Sequence, residues 1–209
     1  MRFRDRTDAG NQLAEKLAGV DLTDPLILGI PRGGVVIAAV IARALGADLD
    51  VVLSRKLPTP GQPELALGAV SEDGHVVINP DVAAMVHFEE DELDVIRRHE
   101  EAEIARRRQL FRGGADRAPV EGRSVIVTDD GIATGATMIA ALQELRTRNP
   151  KVLILAVPVA ATSRLAEVSR WADRTVCLYD TEDFYAVGQF YDDFRQVEDA
   201  EVVETLRGA

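Results

Sequence analysis

Cysteine is almost absent from this chain, since Cys177 is the only one among 209 residues. A lone cysteine cannot form an intramolecular disulfide and has no cysteine partner for a zinc site. Histidine is also scarce, and His75, His87 and His99 do not show a spacing typical of metal ligands. These shortages exclude a disulfide-stabilised fold and argue against a zinc centre.

Long apolar segments are missing as well. No apolar run approaches the roughly 20 residues that a membrane-spanning helix needs. The N-terminal stretch "MRFRDRTDAGNQLAEKLAG" alternates charges and lacks the apolar core of a signal peptide. We therefore expect a cytoplasmic protein without a membrane partner.

Basic residues are outnumbered, with 24 lysines and arginines against 35 acidic residues and a net charge of −11. A negative surface disfavours nonspecific binding to nucleic acid, whose affinity comes largely from phosphate neutralisation. Arginines nevertheless crowd residues 97–117, interleaved with glutamates. This pattern is typical of a solvated helix with intrahelical ion pairs, and a nucleic-acid or subunit contact is the alternative. We expect no nucleic-acid partner.

Short apolar runs alternate with helical patterns along the whole chain. Strands are predicted at 25–30, 48–56, 124–130, 151–159 and 174–180, and helices at 33–46, 135–148 and 162–171. A hairpin is predicted over 65–80 with its turn at 72–74, and a long charged helix over about 89–111. The order predicts one α/β domain over residues 1–209, with a central parallel sheet covered by helices on both faces.

Ligands of such sheets bind at the carboxyl ends of the strands, near the point where the strand order changes direction. The most informative turn at this edge is "VIVTDDGIATGATM", residues 125–138. Its glycines and threonines, at the start of a predicted helix, favour a phosphate group. It lacks the lysine of a Walker loop, which argues against nucleotide hydrolysis. Asp129 and Asp130 are strong acceptors for hydroxyl groups, so a ribose 5-phosphate would satisfy the whole motif.

This motif closely resembles the phosphoribosyl-pyrophosphate (PRPP) signature of the type I phosphoribosyltransferases. The resemblance implies that Asp129 and Asp130 hold the ribose hydroxyls. It also implies that the turn binds the 5-phosphate through Gly131, Ile132, Ala133, Thr134, Gly135, Ala136 and Thr137. The whole pattern is most similar to a bacterial subgroup of stand-alone phosphoribosyltransferase-domain proteins. The family fold adds a small hood, which we expect in the hairpin and in residues 181–209.

A second turn, "GIPRGGVV" at residues 29–36, ends a strand and opens a helix. Its backbone amides and the Arg32 guanidinium suit a pyrophosphate. By the resemblance, Arg32, Gly33 and Gly34 grip the pyrophosphate of PRPP. A simple helix-start turn is the alternative.

A third segment, "SRKLPTPGQPELALGAV", begins at residue 54 and carries Arg55 and Lys56 toward the same edge. Its prolines and Gly61 are predicted to prevent regular structure. The resemblance implies a mobile lid whose basic residues meet the pyrophosphate and exclude water. The alternative is a plain surface connection.

The C-terminal stretch "DFYAVGQFYDDF", residues 183–194, concentrates aromatic side chains. Packing against the sheet is one interpretation. The resemblance implies the other, in which Phe184, Tyr185, Phe190 and Tyr191 stack on a planar acceptor.

The resemblance implies a Mg2+-dependent transfer of 5-phosphoribosyl from PRPP to a nitrogenous acceptor, with release of pyrophosphate. Magnesium is expected mainly on the substrate phosphates, near Asp129 and Asp130, without a metal cage of the protein's own. Ala133 stands where the hypoxanthine–guanine enzymes carry an aspartate, so any base catalysis is expected from elsewhere, such as Glu64, Asp183, Asp192 or Asp193. The alternative function is a regulatory module that senses PRPP or a nucleotide. Since type I members commonly dimerise, we expect a homodimer.

Overall fold

The structure is a computed structural model that describes residues 2–208, apart from the side chains of Pro63, Glu64 and Asp81. Its strands are β1 (Leu26–Gly29), β2 (Asp48–Val51), β3 (Ser54–Thr59), β4 (Gln62–Ser71), β5 (Val76–Ile78), β6 (Ser124–Thr128), β7 (Val152–Ala161) and β8 (Arg174–Thr181). Its helices are α1 (Arg6–Leu17), α2 (Gly33–Leu45), α3 (Pro80–Met85), α4 (Glu90–Arg112), α5 (Ala136–Thr147), α6 (Thr162–Val168) and α7 (Asp199–Arg207). Short 3-10 turns cover Ser169–Trp171 and Val187–Phe190.

The central sheet has five parallel strands in the order β2-β1-β6-β7-β8. The chain builds outward from β1 to β2 and then returns to place β6 on the other side of β1. The order therefore changes direction between β1 and β6, where a parallel sheet opens a crevice at its carboxyl edge. All residues of these two strands are buried, which explains their continuous apolar sequences.

Helices cover both faces of this sheet, as predicted. Alternate residues of β6 point to opposite faces, so Val125 and Val127 belong to one apolar cluster and Ile126 to the other. Helix α5 packs on the first face, and α1 and α2 pack together on the second. Gly46 ends α2 in the left-handed conformation at φ 60°, which glycine adopts at little cost.

A second, antiparallel sheet has the order β3-β4-β5. The predicted hairpin is confirmed, with β4 and β5 joined by residues 72–75. Two neighbouring predictions are wrong. The strand predicted at 48–56 is divided between the two sheets, and the proline-rich stretch after it is regular rather than irregular. Pro58 is tolerated because β3 is an edge strand whose pairing shifts at that residue.

The long charged helix is confirmed as α4, and it is only partly solvated. The expected intrahelical ion pairs are present, for example Arg97 with Glu101 at 3.0 Å. Its other face packs Ile104 and Phe111 into a third apolar cluster with α7. The predicted solvated face with intrahelical ion pairs is therefore confirmed, and the opposite face of α4 is buried.

The two ends of the chain meet at the carboxyl edge of the central sheet. The backbone of Phe3 bonds to Phe190 and Asp192, at 2.7 Å and 2.8 Å. Helix α7 then packs against α2 and α4. Within residues 2–208, no helix has both the length and the apolar character needed to cross a membrane.

Candidate functional site

The switch point between β1 and β6 brings the two glycines of α2 against the aspartate pair. Asp129 and Asp130 follow β6 directly, and Gly33 and Gly34 open α2 after β1. A Cβ atom on Gly33 would overlap the carboxylate of Asp130, and one on Gly34 would lie 2.7 Å from the carbonyl oxygen of Thr128. These positions require glycine because the helix start touches the aspartates.

Asp129 occupies a costly environment for a carboxylate. Its Oδ1 atom accepts a hydrogen bond from the backbone N–H of Asp130 at 2.8 Å. Burial, together with the neighbouring charge of Asp130, raises the pKa of the Asp129 carboxyl well above its ordinary value. A poorly solvated carboxylate lowers the stability of the fold, and such residues are typical of functional centres.

Asp130 is balanced by an arginine from the N-terminal helix. Arg6 donates from Nε to Oδ2 of Asp130 at 2.9 Å, and its Nη2 lies 2.8 Å from the same oxygen. Burial raises the pKa of Asp130, while the guanidinium opposes that rise. The Tyr191 hydroxyl also donates to the backbone carbonyl of Asp130, at 2.7 Å.

The turn predicted to bind phosphate is anchored to the sheet at one residue. Ile132 is buried and exchanges backbone hydrogen bonds with Val159 and Ala161 of β7, at 2.9 Å and 3.1 Å. Ala133 and Thr134 stand exposed just beyond it. Gly135 then starts α5 with φ 80°, which glycine accommodates. The hydrogen bonds of Ile132 thus place the start of α5, with its partial positive charge, at the carboxyl edge of the sheet.

A cavity of about 300 Å³ lies beside Asp129. It is lined by Ile30, Pro31, Leu53, Ser54, Arg55, Lys56, Pro58, Glu100, Ile104, Arg107, Asp129 and Thr137. Three of these side chains are cations, and Arg55 donates to the buried Glu100 at 2.7 Å. The cavity lies between the turns that follow β1 and β6, strand β3 and helix α4. Its cations suit a polyanion.

Arg32 stands apart from this cavity. The Pro31–Arg32 peptide bond is cis, and Pro31 lines the cavity whereas Arg32 does not. The Arg32 guanidinium lies 3.7 Å from Asp199 and 4.0 Å from Glu198 at the start of α7. Arg55 and Lys56 therefore line the cavity, whereas the Arg32 side chain is directed to the start of α7.

A larger cavity, of about 420 Å³, opens between β4, β5, α5 and Trp171. Its walls are mostly apolar, and of the predicted site residues only Ala136 lines it. The larger cavity also contains Glu167 and Arg170. The smaller, cationic cavity contains the predicted site residues Arg55, Lys56, Asp129 and Thr137. We therefore place the candidate site there.

A family model described as "Phosphoribosyl transferase domain" matches residues 4–195. The chain belongs to this family. The Mycobacterium tuberculosis protein named "Putative phosphoribosyl transferase Rv0571c" is 46% identical over 204 residues, covering 98% of this chain and 46% of that protein. The chain thus spans about half the length of the curated relatives that it matches.

Two solved structures are similar to this chain over most of its length. The crystal structure of TT1426 from Thermus thermophilus is 42% identical, with a TM-score of 0.88, and the match covers 99% of this chain and 98% of that chain. The structure of AQ2163 from Aquifex aeolicus, at 12% identity and a TM-score of 0.54, covers 96% of this chain and 84% of that one. The second likeness concerns the fold alone.

The aromatic residues of the phosphoribosyl transferase domain divide into two groups. Phe190 and Tyr191 are 5% and 2% exposed and pack in the core, so the prediction that they contact an acceptor is wrong. Tyr185 is 90% exposed. Phe184 is half-buried against Phe190, with ring centroids 5.2 Å apart. Of the four predicted acceptor aromatics, Phe184 and Tyr185 keep surface for a stacked ring. The side chain of Glu64 lies outside the described residues.

Three residues of the site escaped the sequence prediction, namely Arg6, Glu100 and Arg107. Glu100 and Arg107 belong to the charged segment whose alternation indicated a solvent-facing helix. Arg6 lies 124 positions before Asp130, and nothing in its local sequence points to that contact.

The described residues contain no cluster of three or more metal-binding side chains. Magnesium prefers oxygen ligands and usually keeps waters or takes substrate phosphates. The aspartate pair supplies oxygens beside a cavity suited to phosphates, so the site fits an ion held mainly by a phosphorylated ligand. In that position the ion would neutralise charge on the phosphate oxygens.

Proposed function

We propose that this domain is a Mg2+-dependent phosphoribosyltransferase. It transfers 5-phosphoribosyl from PRPP to a nitrogenous, nucleobase-like acceptor and releases pyrophosphate. The observation that carries the proposal is the meeting, at one sheet edge, of two carboxylates, a glycine-rich helix start and a cationic cavity. Each suits one part of PRPP: the diol, the 5-phosphate and the pyrophosphate.

The charges of the site match the charges that develop in this reaction. The bond from C1 of the ribose to the pyrophosphate oxygen breaks, and an acceptor nitrogen forms the new bond to C1. Negative charge grows on the leaving pyrophosphate, next to Arg55, Lys56 and Arg107 in the cavity. Positive charge grows on the sugar ring, near Asp129 and Asp130. Fixed charges of this kind lower the barrier without reorganising during the reaction.

The acceptor approaches from the side of the exposed aromatics, Phe184 and Tyr185. Exposed carboxylates there, Asp183, Asp192 and Asp193, are the candidates for removing a proton. Ala133 provides no such group within the phosphate-binding turn. The acceptor is therefore a compound whose nitrogen attacks with help from the C-terminal segment.

A sensor of PRPP or a nucleotide is the second candidate. One observation favours it: Arg32, expected at the pyrophosphate, instead contacts α7. A nucleotide sensor needs the diol and 5-phosphate sites but not a pyrophosphate site.

Calorimetric titration with PRPP, with and without Mg2+, tests the binding site. We expect Mg2+-dependent binding that weakens in Asp129→Asn and persists in Asp21→Asn, an exposed control. A panel of nitrogenous bases, assayed for pyrophosphate release, then identifies the acceptor. Binding of a nucleoside monophosphate without binding of PRPP would favour the sensor. If the protein bound neither ligand, both candidate functions would be rejected.

A further inference from the structure

Arg6 holds one carboxylate of the site in a single orientation. Its Nε and Nη2 atoms both reach Oδ2 of Asp130, at 2.9 Å and 2.8 Å. The side chains of Arg6 and Asp130 are 10% and 16% exposed. Because the pair is shielded from water, its attraction is stronger than that of a surface ion pair.

The same guanidinium also contacts the C-terminal segment. Its Nη1 atom donates to the backbone carbonyl of Arg195 at 2.9 Å. Its Cζ atom lies 4.0 Å from the centre of the Phe194 ring. Arginine can make these contacts together because its donors are fixed in one plane and that plane stacks on aromatic rings.

The backbone of the two chain ends reinforces this arrangement. Phe3 bonds to Phe190 and Asp192, and the hydroxyl of Tyr191 donates to the carbonyl of Asp130 at 2.7 Å. Residues 3–6 and 190–195 therefore contact both the side chain and the backbone of Asp130. We call these two segments the terminal bracket.

We propose that Arg6 is a positioning residue, which orients Asp130 so that its carboxylate accepts a hydroxyl of the PRPP ribose. This inference rests on the proposed function. Both guanidinium nitrogens bind Oδ2, so Oδ1 is the oxygen that faces the ligand. Asp129 and Asp130 place two negative charges in adjacent positions, and the positive charge of Arg6 offsets their mutual repulsion. The terminal bracket thereby becomes a part of the ribose-binding site.

Arg6→Gln and Arg6→Lys, titrated with PRPP and with pyrophosphate alone, test this role. In Arg6→Gln we expect PRPP affinity to fall about tenfold, as for the loss of one charge-assisted hydrogen bond. Pyrophosphate affinity stays unchanged, because its cavity does not contain Arg6. Arg6→Lys recovers part of the loss since it keeps the charge. Arg146→Gln is the matched control, because Arg146 pairs with Asp173 on the surface, outside the terminal bracket and the cationic cavity.

A double-mutant cycle with Asp130→Asn separates positioning from general stabilisation. If Arg6 acts through Asp130, Arg6→Gln adds no further loss of PRPP affinity in the Asp130→Asn background. Additive losses, or equal losses for PRPP and pyrophosphate, would overturn the inference. If Arg6→Gln fails to fold, the affinities of Arg6→Lys for PRPP and for pyrophosphate are compared instead, with the same two outcomes.

The outcomes also separate this inference from the proposed function. PRPP binding that is lost in Asp129→Asn but intact in Arg6→Gln rejects the positioning role and keeps the function. Wild-type protein that binds no PRPP rejects the function and the positioning role together.

Discussion

Gly33 lies directly against the carboxylate of Asp130, so closely that a methyl group on residue 33 would overlap Oδ2 and approach Nε of Arg6 to 2.8 Å. The start of α2 and the end of β6 therefore constrain each other. This contact explains why the turn after β1 and the aspartate pair, far apart in the sequence, form one site.

Gly33→Ala should weaken PRPP binding about tenfold or more, because the added methyl group displaces the Asp130 carboxylate. Calorimetric titration with PRPP measures the effect. Gly19→Ala is the control, since a Cβ there meets nothing within 4 Å. Unchanged binding in Gly33→Ala would show that the position of Asp130 does not matter for the ligand.

Asp129→Asn should stabilise the fold while it weakens PRPP binding. Burying the charged carboxylate costs free energy, so a neutral amide should raise the free energy of unfolding by about 1 kcal/mol. The raised pKa means that the folded state binds the proton more readily, so the contribution of Asp129 to stability falls as pH rises. The gain from the substitution should therefore vanish below about pH 4 and grow as the pH rises above that value.

Chemical denaturation of Asp129→Asn at several pH values measures this gain, with Asp21→Asn as the exposed control. A loss of stability at neutral pH would contradict the raised pKa. Unaltered PRPP affinity would contradict the role proposed for Asp129.

Arg107→Gln should lower pyrophosphate affinity about tenfold, since it removes one cation from the cavity. Its neighbour Arg108 is exposed on the same helix and outside this cavity, so Arg108→Gln should have little effect. Titration with pyrophosphate at fixed salt compares the two. Equal affinities would place the pyrophosphate elsewhere.

Phe190→Ala and Tyr185→Ala should separate packing from acceptor binding. Phe190 is buried, so its truncation should cost about 3–5 kcal/mol of stability. Tyr185 is exposed, so its truncation should change stability by less than about 0.5 kcal/mol. It should instead lower kcat/KM for the acceptor without changing PRPP affinity. Turnover that is insensitive to Tyr185→Ala would remove this residue from the acceptor site.

The errors of the sequence prediction share a physical origin. The proline-rich segment after Arg55 was expected to be irregular, but the edge of a sheet tolerates Pro58. Phe190 and Tyr191 were expected at an acceptor, but they fill the space between the sheet and the chain ends. In each instance the prediction depends on the residue type and its neighbours in the sequence. Contacts with distant parts of the chain decide the role of the residue instead.

The sequence by itself determined the alternation of strands and helices in the central sheet, the glycine-rich turn at residues 131–137 and the glycines that open α2. These features depend on hydrophobic periodicity and backbone freedom within a few residues. Only the tertiary structure decided that Arg6 reaches Asp130, that Glu100 and Arg107 line the cavity, and that Arg32 turns toward α7. Such contacts join distant parts of the chain, and they follow from how α1, α4 and α7 pack, which no local pattern encodes.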